Sequence, residues 1–203
     1  MIWEYSYQKA GNAKAAAWSA AWWAQVGSFT SHAKKVPDII AAIEDRIDPL
    51  APGVKLYPNI AIWGFVGFCW GGKVGSFLTS PCEKANGHCD SFFAAAAHAH
   101  PAGLDAAQAA KINVPTLLLA SIGEQGVAPA FMAALTAPKK RVDFVLGHGF
   151  MAGRADLSVA AELAGYNAGY LEILEWFKIH IVIPPPPPAP VAAAAAPAAG
   201  AAP

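Results

Sequence analysis

Charge is what this chain has least of: 14% of its 203 residues are Asp, Glu, Lys or Arg, and 14 basic side chains balance 14 acidic ones. With no basic excess, nothing draws the chain to nucleic acid or to an anionic membrane surface. Long apolar runs are also missing, none reaching the roughly 20 residues that span a bilayer. The start, Met1-Ile2-Trp3-Glu4, lacks the basic segment and apolar core of a secretory signal. A soluble, cytoplasmic protein is the expectation. Cysteine is scarce and odd in number, three in all, which suits a reducing compartment better than a disulfide framework. Cys82 and Cys89, with His88 between them, fall in a polar loop with no second ligand pair nearby. Free thiols are expected there, not a metal clip.

What the chain does have is apolar mass, 55% of its residues, enough for one strongly buried α/β domain. Its organising stretch is Ile60-Ala61-Ile62-Trp63-Gly64-Phe65-Val66-Gly67-Phe68-Cys69-Trp70-Gly71-Gly72-Lys73. A short apolar run ends at Gly-x-Cys-x-Gly and then turns helix-friendly, the strand, sharp turn, helix pattern of a nucleophile elbow with Cys in place of Ser. Gly67 and Gly71 are expected there because a Cβ would meet neighbouring backbone. Cys69 would stand at a helix N-terminus, where the dipole and first-turn N–H groups favour the attacking thiolate. The N–H of Trp70 would point at the oxyanion that develops on attack.

Along the rest of the chain, residues 12–25 read as a helix with a Trp18, Trp22, Trp23 stripe, and residues 37–43 as a second helix with Pro37 in its first turn. The helix after the elbow should span residues 72–79 and stop at Pro81. Residues 91–97, 114–120 and 141–146 read as strands, with short helices over 105–111 and from near Pro129 to 136. A closing helix over 158–180 should bury Leu163, Tyr166, Tyr170, Leu174, Phe177 and Ile181. Strands apolar throughout and alternating with helices predict a parallel sheet flanked by helices. Residues 1–183 form this domain, and the Pro/Ala-rich stretch 184–203 reads as a disordered tail.

In an open parallel sheet, chemistry gathers at the carboxyl ends of the strands. Cys69 follows the first strand, Glu124 and Gln125 the third, and His148 the last. Nucleophile, acid, histidine is the chain order of α/β-hydrolases. His148 would take the Cys69 proton and later return it to the leaving group, and an acid would fix the ring's tautomer. His98 and His100 are expected to face opposite ways, poor geometry for sharing an ion, so they read as pocket-lining or core residues and no metal is expected.

These motifs, with His100-Pro101, Val114-Pro115-Thr116-Leu117-Leu118-Leu119-Ala120-Ser121 and His148-Gly149-Phe150-Met151-Ala152-Gly153-Arg154-Ala155-Asp156-Leu157, resemble the dienelactone hydrolase family of α/β-hydrolases, in particular its eukaryotic branch. The resemblance covers residues 34–181. It implies a truncated α/β-hydrolase-like sheet, no cofactor, and a Cys-His-acid site that hydrolyses a small lactone or ester through a thioester. Arg154 matches a family arginine that faces a substrate carboxylate, and His100 is the other candidate for substrate binding.

The chain departs from the family twice. The family's acid position falls on Gln125 or Gly123, leaving Glu124 as the carboxylate in the turn, so Glu124 and Gln125 both stand as candidates for holding His148. The family's first strands have no counterpart before Asn59, so the strand leading to Cys69 is expected at the sheet edge, covered by a partner, by the N-terminal helices or by a longer chain. The alternative function that follows is a catalytically inactive relative acting as a structural or interaction subunit, its protein partner held at the sheet edge or the proline tail.

Overall fold

Short runs of apolar residues between helix-forming stretches give the chain its order of elements. The computed structural model describes residues 34–44, 60, 62–81 and 92–182. The expectations for residues 12–25, for Cys82, His88 and Cys89, and for the tail lie outside the described residues. Helix α1 (Val36–Glu44) precedes strand β1 (Trp63–Phe68), helix α2 (Trp70–Leu78), strand β2 (Phe93–Ala99) and the short helix α3 (Ala106–Ala109). Strand β3 (Thr116–Ala120), helix α4 (Ala128–Ala134), strand β4 (Lys139–Asp143) and the long helix α5 (Ala160–His180) complete the order.

The four strands form one parallel sheet in the order β1-β2-β3-β4. A parallel sheet flanked by helices is the architecture the strand pattern predicts, consistent with an α/β-hydrolase-like fold. Leu117 and Leu119 pack with Ala97, Ala99, Ile173 and Trp176, while Leu118 and Ala120 pack with Ala96, Ala128 and Phe131. That is the two-residue alternation of strands buried on both faces. Among the described residues β1 is an edge strand, and no helix is long and apolar enough to cross a membrane.

Two element starts and one buried face depart from the sequence reading for physical reasons. Helix α2 begins at Trp70, two residues early, because the chain turns directly after Cys69. Strand β4 begins at Lys139 and carries Lys139, Lys140 and Arg141. It is the other edge of the described sheet, where Lys139 donates to the Met132 and Leu135 carbonyls, Lys140 pairs with Glu172 and Arg141 pairs with Asp143. Helix α5 buries Gly169, Ile173 and Trp176, while Leu163 and Leu174 are 40% and 49% exposed. Gly169 lets α5 approach Met151, whose Sδ lies 2.4 Å from where a Cβ would stand. The buried face thus combines a close approach at Gly169 with the packing of Ile173 and Trp176.

The glycines of the elbow are also reassigned. A Cβ on Gly67 would lie 2.4 Å from the carbonyl oxygen of Gly71, backbone that cannot move without unwinding the turn. Gly71 itself has open space around its Cβ position, contrary to expectation, and the second tight approach is Gly72 against Pro101. Gly67→Ala is expected to destabilise the fold by about 2 kcal/mol or more, as overpacking does. An unchanged denaturant midpoint would show that the elbow tolerates the methyl group.

Candidate active site

Cys69 stands between β1 and α2 with φ 52° and ψ −119°, a left-handed conformation unusual for a residue with a side chain. Backbone bonds hold it there. Its N–H donates to the Ala99 carbonyl at 3.1 Å, and its carbonyl accepts from Gly72 at 3.1 Å and Ala102 at 2.9 Å. The second of these donors, Ala102, lies beyond β2, so the end of the neighbouring strand clamps the turn. Trp70 opens α2 directly after Cys69, placing its N–H at the helix end that carries partial positive charge.

His148 arrives from the far side of the sheet. Beyond β4, Phe144 N–H still donates to Ala120 at 2.8 Å and Ile122 N–H to Leu146 at 3.0 Å, so the chain runs beside β3 until the turn at 147–150. Gly149 has φ 94°, and the aliphatic stem of Arg154 lies against the place its Cβ would occupy. The turn is thereby packed from outside by Arg154. From inside, Tyr170 of α5 donates its hydroxyl to the Met151 carbonyl at 3.2 Å.

The three side chains that follow β1, β3 and β4 meet. His148 Nε2 is 3.0 Å from Cys69 Sγ, and His148 Nδ1 is 2.7 Å from Glu124 Oε1. A carboxylate only accepts, so Nδ1 carries the hydrogen and Nε2 is left to accept from the thiol. The other oxygen of Glu124 accepts the Ser121 N–H at 2.7 Å, and Glu124 is buried at 6% exposure. The question between Glu124 and Gln125 therefore has a structural answer: Gln125 turns away and donates from Nε2 to the Phe144 carbonyl at 3.2 Å. The extra methylene of glutamate, and the bend that lets Glu124 N–H donate to Ser121 O at 3.1 Å, carry the carboxylate back to the ring.

No protein-family profile matches this sequence. The chain is similar to an uncharacterised AIM2 family protein of Schizosaccharomyces pombe. The two are 32% identical over 128 residues, which cover 60% of this chain and 47% of that protein. The chain thus spans about half the length of this curated relative. Among solved structures, a predicted CIB-like hydrolase from Thermoplasma acidophilum shares 12% of residues, covering 72% of this chain and 62% of that one, with a TM-score of 0.42.

The two residues expected to contact substrate take different places. Arg154 is exposed on the turn after His148 and close enough to act electrostatically on His100. His100 is fully buried, with ring centroids 5.0 Å from His148, 5.7 Å from Phe150 and 6.0 Å from Phe68. In this conformation the His100 side chain has no exposed surface of its own. His98 packs instead with Phe65 and Phe131 and bonds the Gly72 carbonyl through Nδ1 at 2.8 Å. The two rings do face opposite sides of the sheet, but strand alternation is not the cause, since positions two apart share a face. His100 lies past the end of β2 with φ 36°, which turns it over. Among the described residues no cluster of three or more His, Cys, Asp or Glu is placed to hold a metal ion.

Burial holds both His98 and His100 at a pKa of about 4, below the ordinary 6.5. For His100 the nearby His148 and Arg154 lower it further, while its own backbone and Glu124 oppose. The folded state keeps these rings neutral where the unfolded chain would protonate them, so the unfolded state binds more protons below pH 6.5. Their stabilisation is complete above about pH 6.5 and is lost as the pH falls through about 4. For His98 this amounts to on the order of 3 kcal/mol. Denaturant unfolding between pH 7 and pH 4 should show the decline, and His98→Leu should flatten it. A curve with the same slope in both proteins would contradict the assignment.

Proposed function

We propose that this protein hydrolyses small esters or lactones through a covalent thioester on Cys69. The observation that carries the reading is the unbroken relay from Cys69 Sγ through His148 to the Glu124 carboxylate, 3.0 Å and 2.7 Å long. As Sγ bonds to the acyl carbon, its proton passes to His148 Nε2, and the carbonyl electron pair moves onto oxygen, within reach of the Trp70 N–H. The tetrahedral species collapses, the carbon–oxygen bond to the alkoxide breaks, and Nε2 returns the proton to that oxygen. Water then attacks the thioester while Nε2 takes its proton, and the thiol leaves with a proton restored. Throughout, Glu124 opposes the positive charge that His148 acquires and keeps Nδ1–H pointed at itself.

The finer reading is a dienelactone hydrolase-like specificity, with Arg154 pairing a carboxylate carried by the substrate. A thiol nucleophile works best where it stays reduced, so a cytoplasmic setting accompanies the proposal. The inactive-subunit alternative drew part of its motive from Gln125 standing at the acid position. A carboxylate seated on the His148 ring removes that motive. The test is turnover of a small aryl ester by the full chain, alongside an ester that also bears a carboxylate. The expected result is turnover of both, with the lower KM for the acid-bearing ester. No turnover of either would favour the inactive subunit.

A further inference from the structure

Among the described residues, only Cys69 and His100 adopt a left-handed backbone without being glycine. They follow neighbouring strands, and His100 lies inside the clamp that holds the elbow, between the Ala99 carbonyl that accepts from Cys69 and the Ala102 N–H that donates to it. A non-glycine residue persists at such a φ only where its surroundings over-determine it, and the inference runs from that outlier to a role. Among the described residues the conformation brings no other residue into hydrogen bonding with the ring nitrogens of His100. What it secures is a position. The backbone N–H of His100 donates to the Leu119 carbonyl at 2.7 Å, and the ring is backed by Phe68 and Phe150. It meets the His148 ring edge to face at 67°.

We propose that His100 is a positioning residue: its ring is the wall that sets the plane of the His148 imidazole, so that one nitrogen faces Cys69 while the other faces Glu124. The proposal rests on reading those three residues as one unit. Shape is the operative property, since the contacts that hold the ring are those with Phe68, Phe150 and His148. An aromatic ring without nitrogen should therefore serve, and an aliphatic side chain or a methyl group should not.

The test compares His100→Ala, His100→Leu and His100→Phe in the full chain. The readouts are the denaturant midpoint, aryl-ester turnover, and the rate at which iodoacetamide alkylates Cys69 at pH 7, followed on the Cys69 peptide by mass spectrometry. His100→Ala and His100→Leu are expected to slow Cys69 alkylation and turnover about tenfold or more, as misplacement of a reacting group does. His100→Phe should restore both. Leucine keeps the volume, so the comparison of leucine with phenylalanine decides the matter even where alanine fails to fold. Wild-type alkylation in folded His100→Leu would overturn the proposal. So would equal losses in folded leucine and phenylalanine variants, which would assign the role to the ring nitrogens. Alkylation that depends on the ring in a protein without ester turnover would instead sink the hydrolase reading and leave the positioning role standing.

Discussion

Cys69→Ala is expected to lower kcat on a small aryl ester by on the order of 10⁴-fold, the scale on which catalysis falls when a nucleophile acting as part of a unit is removed. The substitution is clean because the elbow is held by backbone. The three bonds to the Cys69 N–H and carbonyl do not involve Sγ, and alanine keeps the Cβ that already tolerates φ 52°. KM should change little, since the sulfur contributes most after attack has begun. A protein that retains more than about a tenth of its turnover would place the reaction on another residue.

Glu124→Gln is the second large effect, with kcat expected to fall on the order of 10³-fold. The argument is one of tautomers. Glu124 serves two donors at once, the Ser121 N–H and His148 Nδ1–H. Glutamine has one oxygen and one amide nitrogen in place of two oxygens. If its oxygen stays with Ser121, its NH₂ faces Nδ1 and forces that nitrogen to accept. The ring proton then sits on Nε2, facing the thiol it should be taking a proton from. If the amide flips, a buried N–H confronts another N–H, and a donor goes unsatisfied. Either way the charge that would oppose imidazolium is gone. Gln125→Leu is the control: it removes a bond to the Phe144 carbonyl and touches neither Cys69 nor His148, so turnover should stay within about twofold of wild type. Matching losses in the two variants would mean that the turn as a whole, not the carboxylate, holds the ring.

The reach of sequence reading can be judged residue by residue. Cys69 and His148 were legible because each follows a strand, and the carboxyl ends of parallel strands converge on one rim whatever the loops between them. Glu124 against Gln125 was not legible. Two adjacent residues on a turn point in different directions, and the choice depends on a backbone bend between Ser121 and Glu124 that has no signature in residue types. The elbow pattern fits a helix that opens at Trp70, but the close approach it assigns to Gly71 is not found there. The pattern marks a tight turn without saying which glycine meets backbone, and here Gly67 and Gly72 do.

The same limits show in the fold. Strand β3 is buried throughout and apolar except for Thr116, whereas β4 carries three cations in five residues and begins two residues before the range read from sequence. Helix α5 is apolar on more than one face, so periodicity alone could not orient it, and the buried face includes a glycine that hydropathy ignores. Sequence reading names His100 as a substrate-binding candidate, whereas the positioning role proposed for it rests on a backbone angle and a ring contact that composition and spacing do not record.

The most direct measurement is to trap the covalent species. The full chain is mixed with an activated aryl ester, quenched in acid within the first turnover, and its intact mass and peptides are read by mass spectrometry. One acyl group should appear, on the Cys69 peptide, labile to hydroxylamine as a thioester is, and its formation should slow sharply in Glu124→Gln. Turnover without any acyl group on Cys69, or an acyl group that accumulates at an unchanged rate without Glu124, would contradict the relay.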